Sequence, residues 1–248
     1  MRAMCMIIHL HTICWNEIEL LPYFLRHYEQ VCQSIIVYDN GSNDGSQELV
    51  SHHPLCQLRH AETYGELRED ALQLVKGQSW KESRGVADWV ICCDVDEILY
   101  HPELRQFLGE CKSSGITIPV PTGWQMVSDV FPCIDGQIYS EVRTGFPDPR
   151  YSKRVVFNPS AVSEIGYTSG CHSANPVGAI IESTESALKL LHFKMLGTEY
   201  AIRRSEALRQ RLGEYNLTRR YGVHYLAAPD DLKSEFDAWK EQSIEVPL

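Results

Sequence analysis

Three carboxylates, Asp94, Asp96 and Glu97, close the apolar run that starts at Trp89 in the stretch WVICCDVDEI. A continuous hydrophobic segment of this length, bounded by polar residues, has the character of a strand buried on both faces. An unpaired ion in such a core costs several kcal/mol, so the chain must open onto solvent, a metal or a ligand where the carboxylates begin. In an open α/β sheet, ligands bind in the crevice beyond the carboxyl ends of the strands. Two Asp one residue apart can both reach a hard divalent cation that keeps positions free for phosphate oxygens. The competing reading is an acidic first turn of a following helix, where carboxylates meet the positive dipole end.

A second acidic group, DNGSNDGS from Asp39 to Ser46, directly follows the apolar run SIIVY (34–38). An EF-hand register with Asn40, Ser42 and Asp44 as first ligands fails, because Ser51 stands where a bidentate Glu is required. Two readings stay open. The segment is a strand-to-helix turn, for which Gly, Asn, Asp and Ser are all suited, or Asp39 accepts hydrogen bonds from a base or ribose in the same crevice.

These groups need elements to hold them. Residues 6–13, 34–38, 58–61 and 89–93 read as strands. Helical spacing follows Asn16-Glu17 (Leu20, Leu21, Phe24, Leu25, Tyr28) and recurs over 47–50, 66–75 and 104–111. This alternation predicts an α/β protein whose first half is parallel and Rossmann-like. Residues 115–160 carry six prolines and read as irregular strands and loops; from about Glu199 the chain is helical and rich in Arg, and 230–240 is a final helix behind Pro229. One continuous domain is expected, with no repeat or linker.

Composition sets the bounds. The 248 residues are 44% hydrophobic and 23% charged, as in a soluble globular protein, and the net charge of −10 excludes a general nucleic-acid binder. It does not exclude a nucleotide, whose charge one bound cation can neutralise. Nine cysteines, an odd number without CxxC, point to reduced thiols in a cytoplasmic protein. The N-terminal MRAMCMIIHLHTICW is too short to span a membrane and reads as the first strand. No transmembrane segment is expected, and peripheral membrane contact stays open. The sequon at Asn216 reads as chance.

In combination, an apolar strand ending in Asp-x-x-Ser-x-Asp and, some fifty residues on, another ending in Asp-x-Asp resemble the GT-A glycosyltransferases, closest to the bacterial family-2-like group. The likeness starts at HTICWNEIELLPYFLRHY, runs through IIVYDNGSNDGS, GELREDAL and WVICCDVDEIL, and extends to LLHFKMLGTEYAIRR and RYGVHY. Residues 101–170 match loosely. The resemblance implies a single GT-A domain: a nucleotide-sugar half (1–100), an acceptor and metal half (101–195) and a C-terminal helical extension (196–248).

It implies roles as well. Asp39 would contact the base, Thr12, Arg68 and Asp70 would contact the donor, and Asp94 and Asp96 would hold Mn²⁺ or Mg²⁺ against the donor diphosphate. Asp94 ligates directly or holds the ribose, and Glu97 orients its neighbours or starts a helix. His192 is the first candidate for a late metal ligand, with His172 its rival and a core histidine the plain alternative; His224 is an acceptor contact or structural. The activity implied is a metal-dependent, inverting hexosyl transfer from a nucleoside-diphosphate sugar, a UDP-sugar first, to a glycan or lipid-linked acceptor. The base that takes the acceptor proton is sought on the acceptor side at Asp129, with Glu141 and Asp148 behind it and Trp124 as a stacking face for sugar. Lys153, Arg154 and the C-terminal arginines are candidates for neutralising phosphate. Two other readings remain: a haloacid-dehalogenase-type phosphatase with Asp94 as nucleophile and Asp230-Asp231 as a late acidic pair, although Ile98 departs from that motif, and a non-catalytic nucleotide-sugar-binding protein.

Overall fold

The structure, a computed structural model, describes residues 6–133 and 135–248; Cys5 and the first residues of the N-terminal run lie outside the described part. The first half is β1 (Ile8–Cys14), α1 (Leu21–Tyr28), β2 (Ser34–Asp39), α2 (Ser46–His52), β3 (Cys56–His60), α3 (Glu69–Gln78) and β4 (Trp89–Cys92). Next come β5 (Glu97–Tyr100), α4 (Leu104–Ser113), β6 (Ile118–Ser128), the single turn α5 (Ile138–Glu141), β7 (Thr144–Pro147), β8 (Val156–Phe157), β9 (Val162–Glu164), β10 (Val177–Gly178) and β11 (Glu182–Leu196). The chain ends with α6 (Thr198–Arg209), α7 (Glu214–Arg219), α8 (Pro229–Gln242) and β12 (Ile244–Glu245).

One sheet has the order β3-β2-β1-β4-β8, parallel except for β8. The expected α/β class and parallel first half are what the chain adopts. The reason is visible in β4. Trp89 and Ile91 pack into the main core with α1 residues such as Phe24 and Tyr28, while Val90 and Cys92 face a second cluster around Trp80 and Phe157. A strand buried on both faces is what a parallel sheet covered on both sides requires. A second sheet has the order β12-β7-β6-β11-β5. The two halves interlock, since β5 belongs to the second sheet and β8 closes the edge of the first.

Three local expectations are corrected. After Asp96 the chain enters strand β5, not a helix, because Glu97 is buried and ion-paired and so cannot serve as an exposed helix-start carboxylate. The first helix opens at Leu21, not at Asn16-Glu17: Asn16 adopts φ 50, and the backbone N–H groups of Asn16, Glu17 and Ile18 donate to Ser42, Ser46 and Asp44. The DNGSNDGS loop therefore acts as a clamp on the loop after β1. Finally, residues 115–160 hold a strand of 11 residues, β6, despite Pro119 and Pro121. Both prolines precede Trp124, where pairing with β7 begins, so on that side they have no N–H to supply.

Gly123 fixes a crossing that matters for the site. A Cβ at this position would sit 2.3 Å from the carbonyl carbon of Tyr151 and 2.5 Å from the Asp148 carbonyl oxygen. The 148–152 turn can thus lie directly on β6, which carries Tyr151 toward the carboxyl ends of the parallel strands.

Candidate functional site

A cavity of about 480 Å³ opens at those strand ends. After β1 come Trp15 and Glu17, after β2 Asn40, after β4 Asp94 and Asp96; β11 adds His192 and Lys194, and α6 adds Arg204. The chain reverses between β4 and β5, and Phe193 N–H donates to Asp96 O at 2.7 Å, which ties the Asp-x-Asp turn to β11. Asp96 Oδ2 stands 3.3 Å from His192 Nε2. The other ring nitrogen, Nδ1, meets Gln125 Oε1 at 2.7 Å, and the ring stacks on Tyr151 with centroids 3.9 Å apart. The imidazole is thereby fixed in plane and in direction.

Asp94, Glu17 and Glu97 each have a cation of their own. Asp94 Oδ1 accepts from Lys76 of α3 and Glu17 pairs with Arg204. Glu97 Oε1 takes Lys153 at 2.5 Å, with side chains only 2% and 5% exposed, while its other oxygen accepts from Asp94 N–H at 3.1 Å. Burial by itself raises the carboxyl pKa values of Asp94 and Asp96; for Asp94 the lysines, Lys76 first, outweigh it, and for Asp96 His192 does, so both lie below the usual range. Glu17 goes the other way. Burial pushes its carboxyl up to about 8 against the pull of Arg204, helped by the charges of Asp96 and Asp94. Burial also raises Glu69, which lines the same cavity.

Does this set suit a divalent cation? Among the described residues no three His, Cys, Asp or Glu side chains converge as a closed cage. The Asp96–His192 edge, however, has the spacing that two adjacent ligands of one ion span. One oxygen of Asp94 is held by Lys76, leaving the other. A hard ion bound by few protein groups keeps positions for water and phosphate, as Mg²⁺ and Mn²⁺ sites do, so the residues fit such an ion.

The other expected site residues fall in varied places. Asp39 is buried beside the cavity: Oδ2 accepts from Gly41 N, Ser42 N and Gln47 Nε2, whereas Oδ1 has no protein partner. Both readings of DNGSNDGS thus keep support, the turn from Oδ2 and the ligand from Oδ1. Thr12 is buried and does not line the cavity; Ile13 does. Arg68 and Asp70 form a two-pronged pair with each other (2.9 and 2.8 Å) outside the lining, where Glu69, Gln73 and Lys76 stand instead. His172 and His224 both line the cavity, and burial, then Lys194, lowers His224 to about 4.

The acceptor-side candidates are not brought in. Asp129 lies on the surface, paired with Lys240 at 2.6 Å. Trp124 is a core residue, Glu141 accepts from Cys133 N, and Asp148 caps the 149–151 turn and holds Arg150. Arg154 pairs with Glu182 away from the lining. Of the C-terminal arginines, Arg204, Arg211 and Arg220 reach the cavity; Arg203 pairs with Glu19. Asn216 is fully buried, donating to Leu67 O, so the sequon is structural. Sequence reasoning missed Trp15, Glu17, Lys76, Tyr151 and Lys194. Only Glu17 carried a signal, as the Glu of Asn-Glu.

A second cavity of about 250 Å³ adjoins the first; Tyr151, His172, Lys194, Arg204, His224 and Tyr225 line both. Its far wall is Leu232, Glu235 and Trp239 of α8. Glu235 is the one carboxylate among its described lining residues and makes no hydrogen bond or ion pair with any of them.

No protein-family model and no curated protein matches the chain. Among solved structures, TarS 1–349 from S. aureus is similar at 9% identity and a TM-score of 0.44, over 83% of this chain and 65% of that one. The same protein in complex with UDP aligns at 10% identity and 0.44 over 93% and 70% of the two chains, and in complex with UDP-GlcNAc at 10% and 0.41 over 93% and 71%. The chain thus spans just under two thirds of the first of these neighbours. At such identities and scores the functional argument stands on the residues alone.

Proposed function

We propose that this chain is a GT-A-type glycosyltransferase that moves a hexosyl group from a nucleoside-diphosphate sugar, UDP-sugars first, to a hydroxyl of a glycan or lipid-linked acceptor with inversion. One observation carries the reading: the Asp96–His192 edge faces a cavity at the carboxyl ends of parallel strands, among cations from α3, β11 and α6. Asp96 and His192, with the free oxygen of Asp94, would hold Mn²⁺ or Mg²⁺. Bound there, the ion would supply Lewis-acid stabilisation of the diphosphate charge.

This chain's own residues do the rest. Asn40, Trp15 and Leu67 shape one end of the cavity, where the nucleoside fits beside Asp39. The acceptor enters through the second cavity, against Trp239 and Tyr225. Its hydroxyl oxygen bonds to the anomeric carbon as the carbon–phosphate oxygen bond breaks. Glu235, which lines the second cavity as Asp129 does not, takes the hydroxyl proton. The free thiols of the described cysteines agree with a reducing, cytoplasmic setting.

The phosphatase reading loses its late acidic pair. Asp231 accepts from Ala228 N–H at 3.3 Å at the start of α8, and neither it nor Asp230 lines either cavity. The deciding measurement is calorimetry of UDP, GDP and dTDP with Mn²⁺. Wild type binds one of them in a metal-dependent way, and Asp96→Ala, with an unchanged thermal melt, loses that dependence. Absence of any nucleoside-diphosphate binding to wild type would refute the proposal. Phosphate release from an aryl phosphate would favour the phosphatase instead.

A further inference from the structure

Lys194 stands apart from the other site lysines. Lys76 and Lys153 have carboxylates at bonding distance; the Lys194 ammonium has neither a hydrogen bond nor an ion pair with any described residue, and its nearest aromatic face is Tyr225, 5.3 Å from Nζ to the ring centroid. The side chain is mostly buried, at the junction of the two cavities. An unpaired ammonium in such a place is costly, and no apolar packing role calls for one.

The backbone places it there. The β11–β6 ladder shifts register between His192 and Met195, so β11 carries an extra residue at this point. A bulge re-aims side chains, often beside a site. Here it sets Lys194 in the same cavity as His192, while Phe193 between them is buried in the core and bonds Asp96 O through its N–H. The charges that face Lys194 come from every side: Asp96 on the Asp-x-Asp turn, Glu235 on α8, and the cations Arg150 and Arg204. Asp96 acts on it more strongly than Glu235 does. Lys194 thus shares one cavity wall with Asp94 and Asp96 and the other with Glu235.

We propose that Lys194 is a catalytic residue that binds the sugar-linked phosphate of the donor, its N–H groups meeting the oxygen that leaves the anomeric carbon. The inference rests on the transferase reading. As the acceptor oxygen bonds to that carbon, the electrons of the breaking bond pass to the phosphate oxygen, the acceptor proton goes to Glu235, and Lys194 keeps its own proton while screening the new charge.

UDP and UMP separate the two phosphates. Titrated calorimetrically into wild type, Lys194→Met and Lys194→Arg, with Mn²⁺ and again in EDTA, UDP should bind roughly tenfold or more weakly to Lys194→Met. UMP, which lacks the terminal phosphate, should bind all three nearly alike, and Lys194→Arg should restore most of the UDP affinity. Unchanged UDP affinity in Lys194→Met would overturn the inference and leave the ammonium to an anionic group on the acceptor. An equal loss for UMP would also overturn it, as would a failure of Lys194→Arg to rescue while its thermal melt matches wild type. If wild type binds neither UDP nor the other nucleoside diphosphates, the transferase reading itself fails, which is a different result from a wild type that binds and a variant that binds equally well.

Discussion

Replacing Lys153 by Met tests how the Asp-x-Asp turn is held. Lys153 Nζ and Glu97 Oε1 are 2.5 Å apart, and the two side chains are 5% and 2% exposed. Removing one partner of such a pair strands a buried charge, for which a loss of about 3–5 kcal/mol is typical. Lys76 softens the loss only in part, since it is committed to Asp94. Glu97 is also the acceptor for Asp94 N–H at 3.1 Å, so its movement displaces the carboxylate two residues before Asp96. The neutral double variant Lys153→Met/Glu97→Gln has no stranded charge and keeps an acceptor for Asp94 N–H. Its stability should return to within about 1–2 kcal/mol of wild type, giving a large favourable coupling in the double-mutant cycle. Urea unfolding followed by far-ultraviolet circular dichroism, at constant slope, reads the four proteins of the cycle: wild type, Lys153→Met, Glu97→Gln and the double variant. A loss below about 1 kcal/mol in Lys153→Met would refute the reasoning. The pair would then behave as a solvated one, and the turn would owe its position to the backbone alone.

Two further outcomes follow from the same geometry. Gly123→Ala drives a methyl into backbone at 2.3 Å from Tyr151 C and 2.5 Å from Ser152 N, where no flexible side chain can yield. It should cost at least about 1–3 kcal/mol in urea melts and weaken nucleotide binding through Tyr151 and His192; wild-type stability would mean the 148–152 turn lifts freely. Burial lowers His11 to about 3 and His27 to about 4, so each is neutral when folded yet protonates in the unfolded chain below about 6.5. Their contribution is full above that value and is lost as pH falls: from about pH 7.5 to about pH 5 each withdraws about 2 kcal/mol. A urea midpoint that stays flat across this range would contradict the burial of both rings.

What the sequence made legible was local. The buried strand β4 and the carboxylates at its end follow from one apolar run meeting charges that cannot enter a core. The clamp role of DNGSNDGS was half-visible, as a turn, because Asx chemistry acts within a few residues. His192 was named through the resemblance, which implies a late histidine at the metal; the run LLHF alone fits a core histidine equally well. The cations were not legible. Lys76 meets Asp94 across 18 residues, Lys153 meets Glu97 across 56 and Arg204 meets Glu17 across 187. Such separations are set by topology, and no local pattern marks which lysine of an exposed-looking helix will turn inward. Asp129 failed for the converse reason: its neighbourhood read as the acceptor side, but the β6 end carries it to the surface beside Lys240.

The charge of the whole chain therefore misleads about its site. A protein with a net charge of −10 would repel a diphosphate at long range, and three carboxylates at a strand end look like a purely acidic patch. In and just behind the cavity wall the balance is different. Asp94, Glu97 and Glu17 are each matched by a lysine or arginine, and Asp96 faces an imidazole. Beyond these pairs Lys194, Arg211 and Arg220 line the cavity without an ion-pair partner among the described residues, against the single unmatched carboxylate Glu69. A divalent cation added to the Asp96–His192 edge would tip that balance further toward positive. The site is thus built to accept an anion through short-range contacts, and affinity should depend on its individual cations more than on bulk charge. Substituting surface carboxylates remote from the cavity should accordingly change nucleotide affinity far less than the loss of Lys194 alone.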